Sequence, residues 1–71
     1  MNYNQSVLTA LNQRQPLTFS QLKRLTGSSY SALKGCLAFL ITKGYVSYSL
    51  NDYHLTIKGE QEVNNHERPK F

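Results

Sequence analysis

Two helix-start signals lie within eleven residues of each other in "LTFSQLKRLTGSSYSALKGCLAFLITKGYV", residues 17–46. Gly27 separates the helices they open, and Gly44 follows the second. This spacing restricts the fold more than any other feature of the chain. A glycine just past a helix takes the left-handed conformation and turns the chain, so the two helices must cross rather than run on as one rod. The first signal is Thr18 as N-cap with Gln21 three residues on, a capping box, and Leu17 and Leu22 at the positions of a hydrophobic staple. Leu22 and Leu25 then form the expected buried stripe, with Gly27 as the stop. Ser28 or Ser29 caps the next helix, expected over residues 29–43. Its Leu33, Cys36, Leu37, Leu40 and Ile41 fall at i, i+3, i+4, i+7 and i+8, the spacing of one apolar face.

The flanks are simpler. Asn4 is placed as an N-cap, with Tyr3 and Leu8 as its staple, and Val7, Leu8 and Leu11 share a face. That helix is expected over residues 5–14, ending at Gln15-Pro16 because the residue before proline disfavours the α region. After Gly44, "YVSYSLNDYHLT" is rich in β-branched and aromatic residues around Asn51-Asp52, which predicts a hairpin with those two residues as its loop. Leu50 would then face Tyr53, Tyr48 face Leu55, and Val46 face Ile57, with Ser47, Ser49, His54 and Thr56 on the other side. "IKGEQEV" predicts a last short helix, and "NNHERPKF" has no periodicity and is expected to be mobile. The expected class is mainly α with a small antiparallel β-hairpin: one domain over residues 1–64 and a flexible tail over 65–71.

Seventy-one residues allow one small domain, and 39% hydrophobic residues suffice for its core. The lone Cys36 excludes an internal disulfide and fits a reducing compartment. No apolar run reaches the roughly 18 residues of a membrane span, and the N-terminus lacks the pattern of a signal peptide, so a cytoplasmic protein is expected. Formal charge is +4, unevenly spread. Residues 1–59 carry Arg14, Lys23, Arg24, Lys34, Lys43 and Lys58 against Asp52 alone, a net +5. Residues 60–71 carry Arg68 and Lys70 against Glu60, Glu62 and Glu67, a net −1. The folded part is therefore the basic part, and basic modules attract polyanions.

In the order helix, helix, tight turn, helix, hairpin, short helix, the chain resembles the winged helix-turn-helix family, in particular minimal forms related to MarR-type and PadR-type regulators. Three stretches carry the resemblance over roughly residues 5–63: "FSQLKRLTGSSYSALKGCLAFLITKGYV"; its "LITKGYV" exit, similar to leucine-x-x-x-glycine-aromatic-aliphatic; and "YHLTIKGEQEV", similar to tyrosine-x-leucine-threonine-x-x-glycine. The resemblance implies a three-helix core, a two-stranded wing and a third helix that reads DNA. The family's base-contacting positions map onto Tyr30, Ser31, Lys34 and Gly35.

The residues suit that role independently. A single helix fits the major groove, where base edges can be distinguished. The side of the third helix opposite its apolar stripe carries Ser31, Gly35, Ala38 and Thr42, with Lys34 on one edge. Gly35 is costly inside a helix, by about 1 kcal/mol relative to alanine; with Ala38 it makes a low surface suited to close approach. Backbone N–H groups near Ser28 and Ser29 suit a phosphate, as do Lys23 and Arg24 on the second helix. Ser49 and His54 on the wing are placed to graze the backbone. The loop Asn51-Asp52 lacks the cation a wing usually carries, which argues against deep minor-groove insertion.

No catalytic set is present. Cys36 lies in the buried stripe, His54 and His66 are not at metal-ligand spacing, and the glycines form no phosphate loop. No enzyme, cofactor or small-molecule ligand is expected. The functional expectation is a double-stranded DNA-binding transcriptional regulator, with repression as its mode. It would act as a homodimer on two half-sites. The competing expectation is a protein-assembly module of the same fold, using Phe39, Val63 and Phe71 as a seam.

Overall fold

A computed structural model describes residues 3–67 of the chain. Helix α1 (Tyr3–Gln13) is followed by a cis Gln15–Pro16 bond and a two-residue strand β1 (Leu17–Thr18). Helices α2 (Phe19–Thr26) and α3 (Tyr30–Thr42) come next, then strands β2 (Val46–Ser49) and β3 (Asp52–Leu55) and helix α4 (Ile57–Glu67). The described part is thus mainly helical with a small antiparallel sheet.

Local chemistry sets the two central helices. The Thr18 Oγ1 accepts from the Gln21 N–H at 3.2 Å, and the Gln21 Oε1 accepts from the Thr18 N–H at 2.9 Å, so both halves of the capping box are made. Gly27 ends α2 at φ 66°, and its N–H reaches the Lys23 carbonyl at 3.0 Å. Ser29 caps α3, accepting from the Ala32 N–H at 3.2 Å.

Helix α1 is the hub and packs against α2, α3, α4 and β3. Its Val7, Leu8 and Leu11 meet Leu22 of α2, Leu33, Cys36, Leu37 and Leu40 of α3, and Leu17, Val46, Leu55 and Val63 in one buried cluster. Among the described residues no polar or charged one is buried with them. Each such leucine contributes on the order of 2 kcal/mol through burial.

Several expectations change. Asn4 lies within α1 instead of capping it, because its Oδ1 is engaged by the Cys36 thiol at 2.9 Å. The sheet has three strands in the order β1-β3-β2, not two. Leu17 pairs with Tyr53 and Thr18 with Asp52, so the residue that caps α2 also closes the sheet edge. The hairpin loop is Leu50-Asn51, and the register is Val46↔Leu55, Ser47↔His54, Tyr48↔Tyr53 and Ser49↔Asp52. The shift is two residues, which leaves the same side chains on each face. It has a physical cause: Ile57 cannot pair with Val46 because it opens α4. Thr56 caps that helix, accepting from the Gly59 N–H at 3.0 Å and donating to the Gly44 carbonyl at 2.5 Å.

Leu25 and Ile41, expected in buried stripes, are 53% and 40% exposed. Leu25 borders a groove of about 380 Å³ whose other lining residues are mostly polar, among them Gln5, Ser6, Thr9, Gln13 and Arg14. Ile41 lies at the edge of the α3 stripe, beyond the elements that cover Leu33, Leu37 and Leu40. Val63 is in the core at 1% exposure and cannot serve a dimer seam. Helix α4 continues through Glu67, past the start of the expected tail at residue 65. His66 is within it, while residues 68–71, including Phe71, lie outside the described residues.

Candidate nucleic-acid interface

The first two turns of α3 stand clear of the core. Tyr30, Ser31, Lys34 and Gly35 are all exposed, as are Ala38 and Thr42 farther along the same side. A Cβ added at Gly35 would meet nothing within 4 Å, so no neighbour in the fold requires a glycine there.

Tyr30 is the organising residue. Its ring lies 5.1 Å from that of Phe19, the first residue of α2, tilted by 53°. The Lys34 ammonium sits over the Tyr30 ring, 5.7 Å from its centre, within cation–π range. Lys23 follows Phe19 by four residues and so shares its helix face. The stack gathers Phe19, Tyr30 and Lys34 at the junction of α2 and α3, with Lys23 one turn along α2 from Phe19. Tyr30 remains 58% exposed despite the contact. It packs on Phe19, not on the Leu37 and Ile41 side of its own helix.

The sheet adds a second aromatic pair. Tyr48 and Tyr53 are cross-strand neighbours with ring centres 4.7 Å apart. Alternation puts them on the sheet face that also carries Leu17, Val46 and Leu55. Burial, then the phenols of Tyr48 and Tyr30, push the Tyr53 hydroxyl above its ordinary value of 10.0. Strand β3 pairs with β1, which runs directly into Phe19, so the hairpin and the Phe19–Tyr30 pair are joined through Leu17 and Thr18. Phe19, Tyr48 and Tyr53 were not among the site residues expected from the sequence. The signal for the two strand residues was the tyrosine excess, five in the chain.

The remaining candidates have different settings. The Thr26 hydroxyl donates to the Leu22 carbonyl at 2.8 Å, so the 2.6 Å contact with Ser28 is a bond donated by the Ser28 hydroxyl. Ser28 is committed to the turn. Ser29 spends one lone pair on its cap and stays exposed with its proton available. The N–H groups of the first residues of α3 have no partner within the helix. Arg24 borders a separate groove of about 230 Å³ with Arg14, Leu17, Gln21 and Leu25, away from the Tyr30 stack. Ser49 and His54 lie on the sheet face opposite Tyr48 and Tyr53.

Burial raises the Cys36 thiol above its ordinary 9.0, so it is a poor nucleophile at neutral pH. Among the described residues no group of three or more histidine, cysteine, aspartate or glutamate side chains could hold a metal ion. No helix in the described residues is long and apolar enough to cross a membrane. Comparison of the chain with protein-family models, with curated proteins and with solved structures gives no match.

Proposed function

We propose that this chain is a winged helix-turn-helix protein of the cytoplasm that binds duplex DNA and regulates transcription, with repression as its mode and no enzymatic activity of its own. The observation that carries the reading is the Phe19–Tyr30–Lys34 stack at the head of an otherwise uncovered α3. Helix α3 enters the major groove through Ser31, Lys34 and Gly35, with Tyr30 at the rim. Lys23 and the free N–H groups at the start of α3 take phosphates, and Arg24 adds positive charge farther along α2.

A glycine with nothing around it supports this reading. Gly35 weakens α3 and relieves no clash within the fold. A low, uncharged strip beside Lys34 is what a helix needs in order to sit close to base edges. The contacts of one copy are few, so two copies on half-sites about one helical turn apart supply the affinity. Phe39, 46% exposed on the far edge of α3, is the apolar residue available for their contact.

The test is selection from a random-sequence duplex pool, followed by anisotropy at low and near-physiological salt. Enrichment of a pseudo-palindrome bound at both salts is the expected result. Binding only at low salt with no enrichment would reduce the function to counterion release. Binding at neither salt would sink the proposal and favour a protein-assembly role.

A further inference from the structure

The tip of the β2–β3 hairpin is built against the preference of one of its residues. Leu50 and Asn51 both have positive φ, 52° and 68°, the pair of conformations of a tight hairpin turn. Asparagine tolerates that region, whereas leucine pays a steric penalty there between Cβ and its own backbone. Leu50 recovers nothing through burial, because it is 91% exposed, more than any other large hydrophobic residue described. Asparagine or glycine at position 50 would make a better turn. The leucine is therefore unexplained by folding.

The tip is braced nonetheless. The Tyr48 hydroxyl donates to the Asn51 Oδ1 at 3.1 Å, and the Tyr48 ring rests on Tyr53. Asp52, just past the loop, pairs with Thr18, and the residue after Thr18, Phe19, stacks on Tyr30 at the head of α3. Leu50 is thus presented on a hairpin tied to the surface that carries the DNA-reading residues. Ser49, Leu50, Asn51 and Asp52 include no cation, and the Asp52 carboxylate would repel a phosphate. A tip of this composition cannot grip the backbone, but its apolar end suits the space between two base pairs.

We propose that Leu50 is an apolar wedge. While α3 occupies the major groove, Leu50 enters the neighbouring minor groove, partly unstacks one base step and bends the duplex. Apolar wedges of this kind kink DNA by about 20–90°. Pyrimidine–purine steps unstack most readily, so the ligand class is duplex DNA with a TA or CA/TG step where the wing lands. The inference rests on the duplex-binding reading above and adds a bend to it.

The test compares the full chain with Leu50→Asn and Leu50→Met on a selected duplex. End-to-end energy transfer reports the bend, and 2-aminopurine placed at successive steps reports unstacking. The expected result is a bend and brightening at one pyrimidine–purine step for the parent protein and Leu50→Met. Leu50→Asn should bind with the same salt slope and lose both signals, while melting no lower than the parent. A parent protein that binds without bending or brightening overturns the wedge and leaves duplex binding intact, as does Leu50→Asn bending DNA like the parent. A parent protein that binds no duplex overturns both readings. Leu50-dependent binding to phosphatidylserine vesicles without any duplex signal overturns the wedge in favour of a membrane contact.

Discussion

The ring of Tyr30, the first residue of α3, rests on that of Phe19, the first residue of α2, with 5.1 Å between their centres. This contact joins the two helix starts directly and fixes where the phenol of Tyr30 stands. Phe19→Ala should cost about 2 kcal/mol, since the ring is half-buried and loses both packing and the aromatic pair. Tyr30→Phe keeps the stack, so its melting temperature should stay unchanged. Its duplex affinity should fall about two- to tenfold, the range of one hydrogen bond. Parallel melting and anisotropy curves for the two variants check this.

Lys34 and Leu37 lie on opposite sides of α3, the first exposed and the second 2% exposed. Lys34→Ala should reduce duplex affinity and lower the salt slope by about 1, with no loss of thermal stability. Leu37→Ala should cost about 2–5 kcal/mol through the cavity it leaves. A destabilised Lys34→Ala, or a stable Leu37→Ala, would refute the assignment of the two faces.

Gly35 and Gly59 should respond to alanine with opposite signs. At Gly35 the new methyl meets nothing, and the helix gains about 1 kcal/mol, worth several degrees in melting temperature. Duplex affinity should fall if the low strip beside Lys34 faces the bases. At Gly59, which is buried, the Cβ would overlap the Tyr45 carbonyl oxygen and crowd a Leu55 methyl. Backbone cannot step aside as a side chain can, so Gly59→Ala should cost about 3 kcal/mol or more. Chemical denaturation of both variants gives the two signs.

Thr18 serves α2 and the sheet at once, as N-cap and as the partner of Asp52. Thr18→Ala should cost about 1 kcal/mol through the lost cap. Thr18→Ser should recover most of that, because its hydroxyl can still accept from the Gln21 N–H. Urea midpoints of the three proteins decide the matter.

Stability should fall at alkaline pH. Cys36 and Tyr53 both have folded-state values raised above 9.0 and 10.0, chiefly by burial. As pH rises the unfolded chain gives up these protons first, so their contribution is whole below about pH 9 and is lost above it. Urea midpoints should be flat between pH 7 and 9 and then decline. Cys36→Ala should delay the onset. A midpoint unchanged up to pH 10.5 would contradict the burial of both groups.

Much of the helical part was legible because its determinants are local. Thr18 and Gln21 are three residues apart and cap each other, Gly27 supplies the left-handed stop, and the α3 stripe repeats with the helical period. The sequence by itself therefore determined the close pair of central helices, which side of α3 goes inward and the alternation of the hairpin. It could not say whether a neighbour exists to cover each apolar residue, and so Leu25 and Ile41 were placed inside although they are exposed. Only the tertiary structure decided the rest. Asn4 turned from cap to acceptor because Cys36 came within reach from thirty-two residues away. The strand β1 has two residues and no alternation to detect, and it exists because β3 offers a free edge. The hairpin closed at Leu50-Asn51 because Thr56 began a helix held against Gly44 and Tyr45, which removed Ile57 from the ladder. The placement of the Phe19–Tyr30 pair beside the hairpin that carries Tyr48 and Tyr53 depends on the same long-range pairing, since Leu17 and Tyr53 meet only once β1 joins the sheet.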